Sequence, residues 1–78
     1  MNESKEGTIF PFGNNQRGIV VRCIDPNKGQ HEVIYYQNQL KWVKQDAFFI
    51  DGVWSLSDES GRVIRDSEFP ELMRALKG

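Results

Sequence analysis

One eight-residue stretch, Ala47-Phe48-Phe49-Ile50-Asp51-Gly52-Val53-Trp54, constrains this chain more than any other. Asp-Gly between aromatic and β-branched residues specifies a two-residue type I′ turn, because both central positions need positive φ and the turn's twist matches that of the strands it joins. Such a turn fixes the register. Ile50 faces Val53 and Phe49 faces Trp54, so Ala47, Phe49, Trp54 and Leu56 share one surface while Phe48, Ile50 and Val53 share the other. Both surfaces are apolar. Leaving Phe48, Ile50 and Val53 in water forgoes roughly 1.5–3 kcal/mol per side chain, a large share of what a small domain holds. Two arrangements answer this demand: the strands roll into a small barrel, or another chain, a second copy included, supplies the missing layer.

The chain around this hairpin is short. Its 78 residues suffice for one domain and leave no room for separate substrate and cofactor lobes. Hydrophobic residues are 38% and charged residues 27%, a globular balance, and five Phe, two Tyr and two Trp supply large pieces of core. Residues 1–7 are polar and expected to form a disordered tail, with residues 8–78 as a single small β-rich domain. No signal-peptide run opens the chain and no stretch approaches the ~18 apolar residues that span a bilayer, so a cytoplasmic setting without membrane contact is expected. Cys23, the lone cysteine, cannot form an internal disulfide and reads as a small buried hydrophobe. No cysteine and histidine cluster has metal-ligand spacing, so neither metal nor cofactor is expected.

Upstream of the hairpin, Thr8 to Phe12 favours β structure, but Pro11 removes a ladder donor and makes it an edge strand, followed by a turn at Gly13 to Gln16. Residues 18–24 and 31–36 are β-rich and flank Asp25-Pro26-Asn27-Lys28-Gly29, which reads as a hairpin turn. With Ile24 opposite His31, Ile19, Val21, Cys23, Ile34 and Tyr36 share one face, and Val20, Arg22, His31, Val33 and Tyr35 share the other. Leu40 to Lys44 forms a short strand of its own, and Arg62 to Arg65 returns as a further strand after a turn at Asp58 to Gly61. The period then changes. Phe69, Leu72, Met73 and Leu76 recur at helical spacing, with Ser67 as N-cap and Pro70 in the first turn of a helix over 67–77. The predicted fold class is α+β: an antiparallel meander of five to six short strands rolled into a small barrel, closed by one C-terminal amphipathic helix.

Catalysis finds little footing. His31 is the only histidine and follows a turn, where exposure to solvent is expected, and no nucleophile with an orienting acid can be placed beside it. Asp58-Glu59 and Asp66 with Glu68 resemble turn and cap chemistry, and no phosphate-cradling loop is present. The function expected is therefore non-enzymatic protein binding, as an adaptor, inhibitor or accessory subunit, with self-association as one form of it. The alternative is single-stranded nucleic acid. The net charge of -1 argues against a broad basic surface, yet residues 17–44 carry Arg17, Arg22, Lys28, Lys41 and Lys44 against Asp25 and Glu32. Phe12, Tyr35 and Trp42 interleave with these cations and could stack on unpaired bases. The candidate contact residues for a partner or a nucleic acid are Phe10, Phe12, Arg17, Arg22, Tyr35, Lys41, Trp42 and Lys44.

Asp51-Gly52-Val53-Trp54-Ser55-Leu56-Ser57-Asp58-Glu59-Ser60-Gly61 resembles the tryptophan-bearing hairpins of cell-wall choline-binding repeats. Those families build each site between tandem copies and this chain has one, so the resemblance implies hairpin chemistry and no function.

Overall fold

The computed structural model describes residues 3–12, 16–38, 41–56 and 61–77, with the side chains of Phe12, Tyr36, Gln37, Asn38, Lys41 and Asp66 outside the description. Six strands, β1 (Ile9–Phe12), β2 (Gln16–Asp25), β3 (Gln30–Asn38), β4 (Lys41–Ile50), β5 (Val53–Leu56) and β6 (Arg62–Ile64), precede a 3-10 turn (Asp66–Glu68) and helix α1 (Pro70–Lys77). All pairings are antiparallel and the strands follow the order β1-β2-β3-β4-β5. The sheet curls into a half-barrel with the helix at its C-terminal end, the architecture expected from the strand and helix periodicities.

Four local expectations are corrected. Lys41 to Lys44 do not stand as a strand of their own: the ten-residue β4 runs unbroken from Lys41 to Ile50, and Leu40 lies outside the described residues. Nor does β6 pair with its predecessor in sequence. It lies against Trp42 to Lys44, on the β4 edge whose farther half, Ala47 to Ile50, carries β5. The expected turn residues Asp58 to Ser60 and Gly13 to Asn15 lie outside the described residues. Ser67 is not the helix N-cap, because it sits inside the 3-10 turn and α1 begins at Pro70, with the Met73 amide bonding back to the Phe69 carbonyl at 2.9 Å. Proline occupies the first helical position, where its missing N–H costs nothing.

The fourth correction concerns register. Cys23, not Ile24, stands opposite His31, and irregularities between Val20 and Arg22 and between Cys23 and Asp25 each insert one extra β2 residue. Each insertion exchanges faces. Arg22 therefore joins Ile19, Ile34 and Glu32, and Cys23 joins Val20, Val33 and His31, the reverse of their expected sides. Val21 still packs with Ile19 beneath the helix.

Two clusters form, one on each face of the sheet. Ile19, Ile34, Trp42 and Ile64 meet Met73 and Leu76 of α1, with Phe69 and Leu72 at the margin. On the reverse, concave face Phe10, Val20, Val33 and Ala47 pack with Trp54 and Leu56. The curl brings the two ends of the strand path together here, since the ring of Phe10 from β1 stacks on that of Trp54 from β5 at 4.2 Å between centroids. Gly18 stands directly across from Phe10. A Cβ there would lie 2.5 Å from the tip of the Phe10 ring, so the absent side chain is what lets the ring lie down on β2.

The turn at the end of β4 has the geometry the sequence demands. Asp51 and Gly52 both take positive φ, 52° and 79°, and Ile50 pairs with Val53 and Phe49 with Trp54.

Candidate functional site

The expected contact residues do not converge on one surface. Phe10 is 3% exposed beneath Trp54, Tyr35 is 8% exposed and donates its hydroxyl to Gln45 Oε1 at 2.5 Å, and Trp42 is 7% exposed beneath the helix. These rings are core. Phe10 and Tyr35 belong to the concave face and Trp42 to the opposite one, so no stacking platform joins them. The cations are engaged as well. Lys44 Nζ lies 3.2 Å from Glu32 Oε2 and sits over the Phe69 ring, while the exposed Arg22 reaches the other oxygen of Glu32 at 3.6 Å. Arg17 donates to the Leu76 carbonyl at 2.9 Å, satisfying an acceptor that the helix end leaves open. The side chains of Phe12 and Lys41 lie outside the described residues.

Two other places attract attention. The first is the outer face at the β4–β5 turn. Helix α1 is eight residues long, about 12 Å at 1.5 Å per residue, and it packs over Ile19, Ile34, Trp42 and Ile64 rather than over the turn. Phe10 covers the Trp54 surface of the hairpin, and the helix leaves the other open. Ile50 is 48% exposed and Val53 62%, with the half-buried Phe48 beside them. Next along the same face runs a polar band in which Gln30 donates to Asp46 at 3.1 Å and Arg22 and Lys44 each pair with Glu32.

The second place is His31. Exposure to solvent was expected of it, yet it is fully buried, because the curl folds the β4–β5 hairpin over the start of β3. The Trp54 and Phe49 rings meet its ring edge-on at 5.0 and 6.3 Å, and Phe49 and Trp54 stack on each other at 4.7 Å. Backbone groups hold both ring nitrogens: Nδ1 lies 2.7 Å from the Gly29 carbonyl, and Nε2 accepts from the Ser4 amide at 2.8 Å. Residues 4–7, read from sequence as part of a disordered tail, carry this bond and a second from the Gly7 amide to the Val20 carbonyl. Across from His31, burial pushes the Cys23 thiol above its ordinary range, and the carboxylates of Glu3 and Asp25 push it further. The outer face was legible in sequence as an apolar surface in need of a cover; the burial of His31 was not, since it depends on Phe49 and Trp54, which follow it by more than a dozen residues.

Among the described residues, no group of three or more His, Cys, Asp and Glu side chains is arranged to hold a metal ion, and no helix is long and apolar enough to cross a membrane. Comparison with known proteins gives no match: no family model fits the chain, and no curated protein and no solved structure is significantly similar to it.

Proposed function

We propose that this chain is a non-enzymatic binding module whose contact surface is the outer face of the β4–β5 hairpin, and that its occupant is a second copy of the same chain. The observation that carries the reading is the exposure of Ile50 and Val53 side by side at the β4–β5 turn, with Phe48 behind them. Large apolar side chains grouped at one end of a sheet are the usual mark of a contact surface. The choice of a second copy rests on charge. The adjoining band carries Arg22, Glu32, Lys44 and Asp46, two cations and two carboxylates, so it complements itself when turned about a two-fold axis. A net charge of -1 sets little repulsion between copies. The nucleic-acid alternative lacks comparable support, because Tyr35 and Trp42 are buried.

Sedimentation velocity over a hundredfold range of concentration, roughly spanning the micromolar regime, tests the proposal. The wild-type chain should shift towards a dimer as concentration rises, and Ile50→Lys and Val53→Lys, both at exposed positions that tolerate a lysine, should remain monomeric. A wild-type chain that stays monomeric throughout, or a dimer indifferent to both substitutions, overturns it.

A further inference from the structure

We propose that His31 is a proton-operated latch for the N-terminal segment, closed while the ring is neutral and opened when it takes a second proton. The argument begins with the Gly29 carbonyl, which can only accept; it already receives the Phe49 amide at 2.7 Å and takes the His31 Nδ1 proton as well. Nδ1 must therefore carry the ring's hydrogen. Nε2 is left with its lone pair, and the Ser4 amide donates into it at 2.8 Å. A proton on Nε2 removes that lone pair and sets two N–H groups head to head. One of them has to leave.

The geometry decides which one. His31 is fixed in the sheet, between Ala47 and Cys23 across the two ladders, with Trp54 and Phe49 against its ring. Ser4 belongs to a short segment that turns at Gly7, where φ is 84° and the Thr8 amide bonds back to the Lys5 carbonyl at 3.1 Å. The bond from the Gly7 amide to the Val20 carbonyl anchors the far end of the segment. Release is thus confined to the residues before Gly7, and it gives the charged ring the water that its neutral form excludes. The ionisable groups shown at this corner are Glu3 on the segment and Cys23 and Asp25 on β2; β4 and β5 present Ala47, Phe49 and Trp54.

The experiment is an NMR titration of the isotopically labelled full chain from about pH 8 to about pH 5, the range in which histidines titrate. The Ser4 and Lys5 amides should leave their docked positions in step with the His31 ring protons, while the β3 and β4 amides hold theirs. Hydrogen exchange at Ser4, corrected for intrinsic pH dependence, should quicken by roughly tenfold or more. His31→Gln, whose side-chain oxygen accepts and takes no charge, should keep the segment docked at low pH. The latch is refuted by a Ser4 amide that stays docked while the ring titrates, by release in His31→Gln as well, or by loss of the β3 and β4 signals together with those of the segment. The comparison of Ser4 with the ring in the wild-type chain stands even if the variant does not fold.

Discussion

Gly18 shows how far one residue's chemistry reaches in this protein. Any Cβ at that position meets three atoms of the Phe10 ring at 2.5 to 3.0 Å, and the ring has no retreat because Trp54 stacks on its far side. Gly18→Ala should therefore cost about 1–3 kcal/mol, the range typical of overpacking a filled core. Urea denaturation followed through tryptophan fluorescence measures it, and an unchanged midpoint would show that the ring is not pinned. Cys23 gives a second test at this scale. Burial first, then the carboxylates of Glu3 and Asp25, disfavour its thiolate, so iodoacetamide should alkylate it more slowly at neutral pH than a free thiol, with the difference closing in denaturant. Equal rates would mean the thiol is open to solvent and away from those charges.

Among the elements, the helix depends on its entry as much as on its apolar stripe. Glu68 accepts the Arg65 amide at 3.0 Å and pairs with Arg62 of β6 at 3.3 Å, which joins the last strand to the turn that launches α1. The Arg65 hydrogen bond, and secondarily the Arg62 charge, hold the Glu68 carboxyl below its ordinary range. A carboxyl shifted down on folding contributes stability that is complete above the ordinary glutamate range and is lost as pH falls through the lowered value. Glu68→Gln should accordingly weaken the wild-type chain at neutral pH and make little difference in acid, a contrast that thermal melts at two pH values would read; an equal loss at both would exclude the linkage. The stripe itself was legible, since Met73 and Leu76 are buried and Phe69 and Leu72 flank them as the spacing required. Ser67 misled because a 3-10 turn precedes Pro70, and a serine within that turn reads in sequence like a cap.

At the scale of the whole molecule, proposed self-association should make stability depend on concentration, because whatever binds only the folded chain stabilises it by mass action. The melting temperature of the wild-type chain should rise with concentration, and that of Ile50→Lys should not. Three partly exposed side chains form only a small part of a standard interface, so the association should be weak. Strand identities and the type I′ turn were readable because hydrophobic alternation and turn residues are local signals. The curled meander with its terminal helix was readable too, but the details of strand pairing were not. The residue inserted before Arg22 in β2 moved Arg22 and Cys23 to the faces opposite those expected, and no local pattern announces an insertion. His31 was read as exposed because the rings that enclose it, Phe49 and Trp54, arrive from a different hairpin.

The meeting of Phe10 with Trp54 joins the first and last strands of the path by ring contact, whereas every other neighbouring pair along that path is laced by a hydrogen-bonded ladder. The ring contact itself is worth about 0.5–1.5 kcal/mol beyond the area it buries, and no β ladder between described strands reinforces it. The curl should breathe along that seam before any laced pair of strands parts.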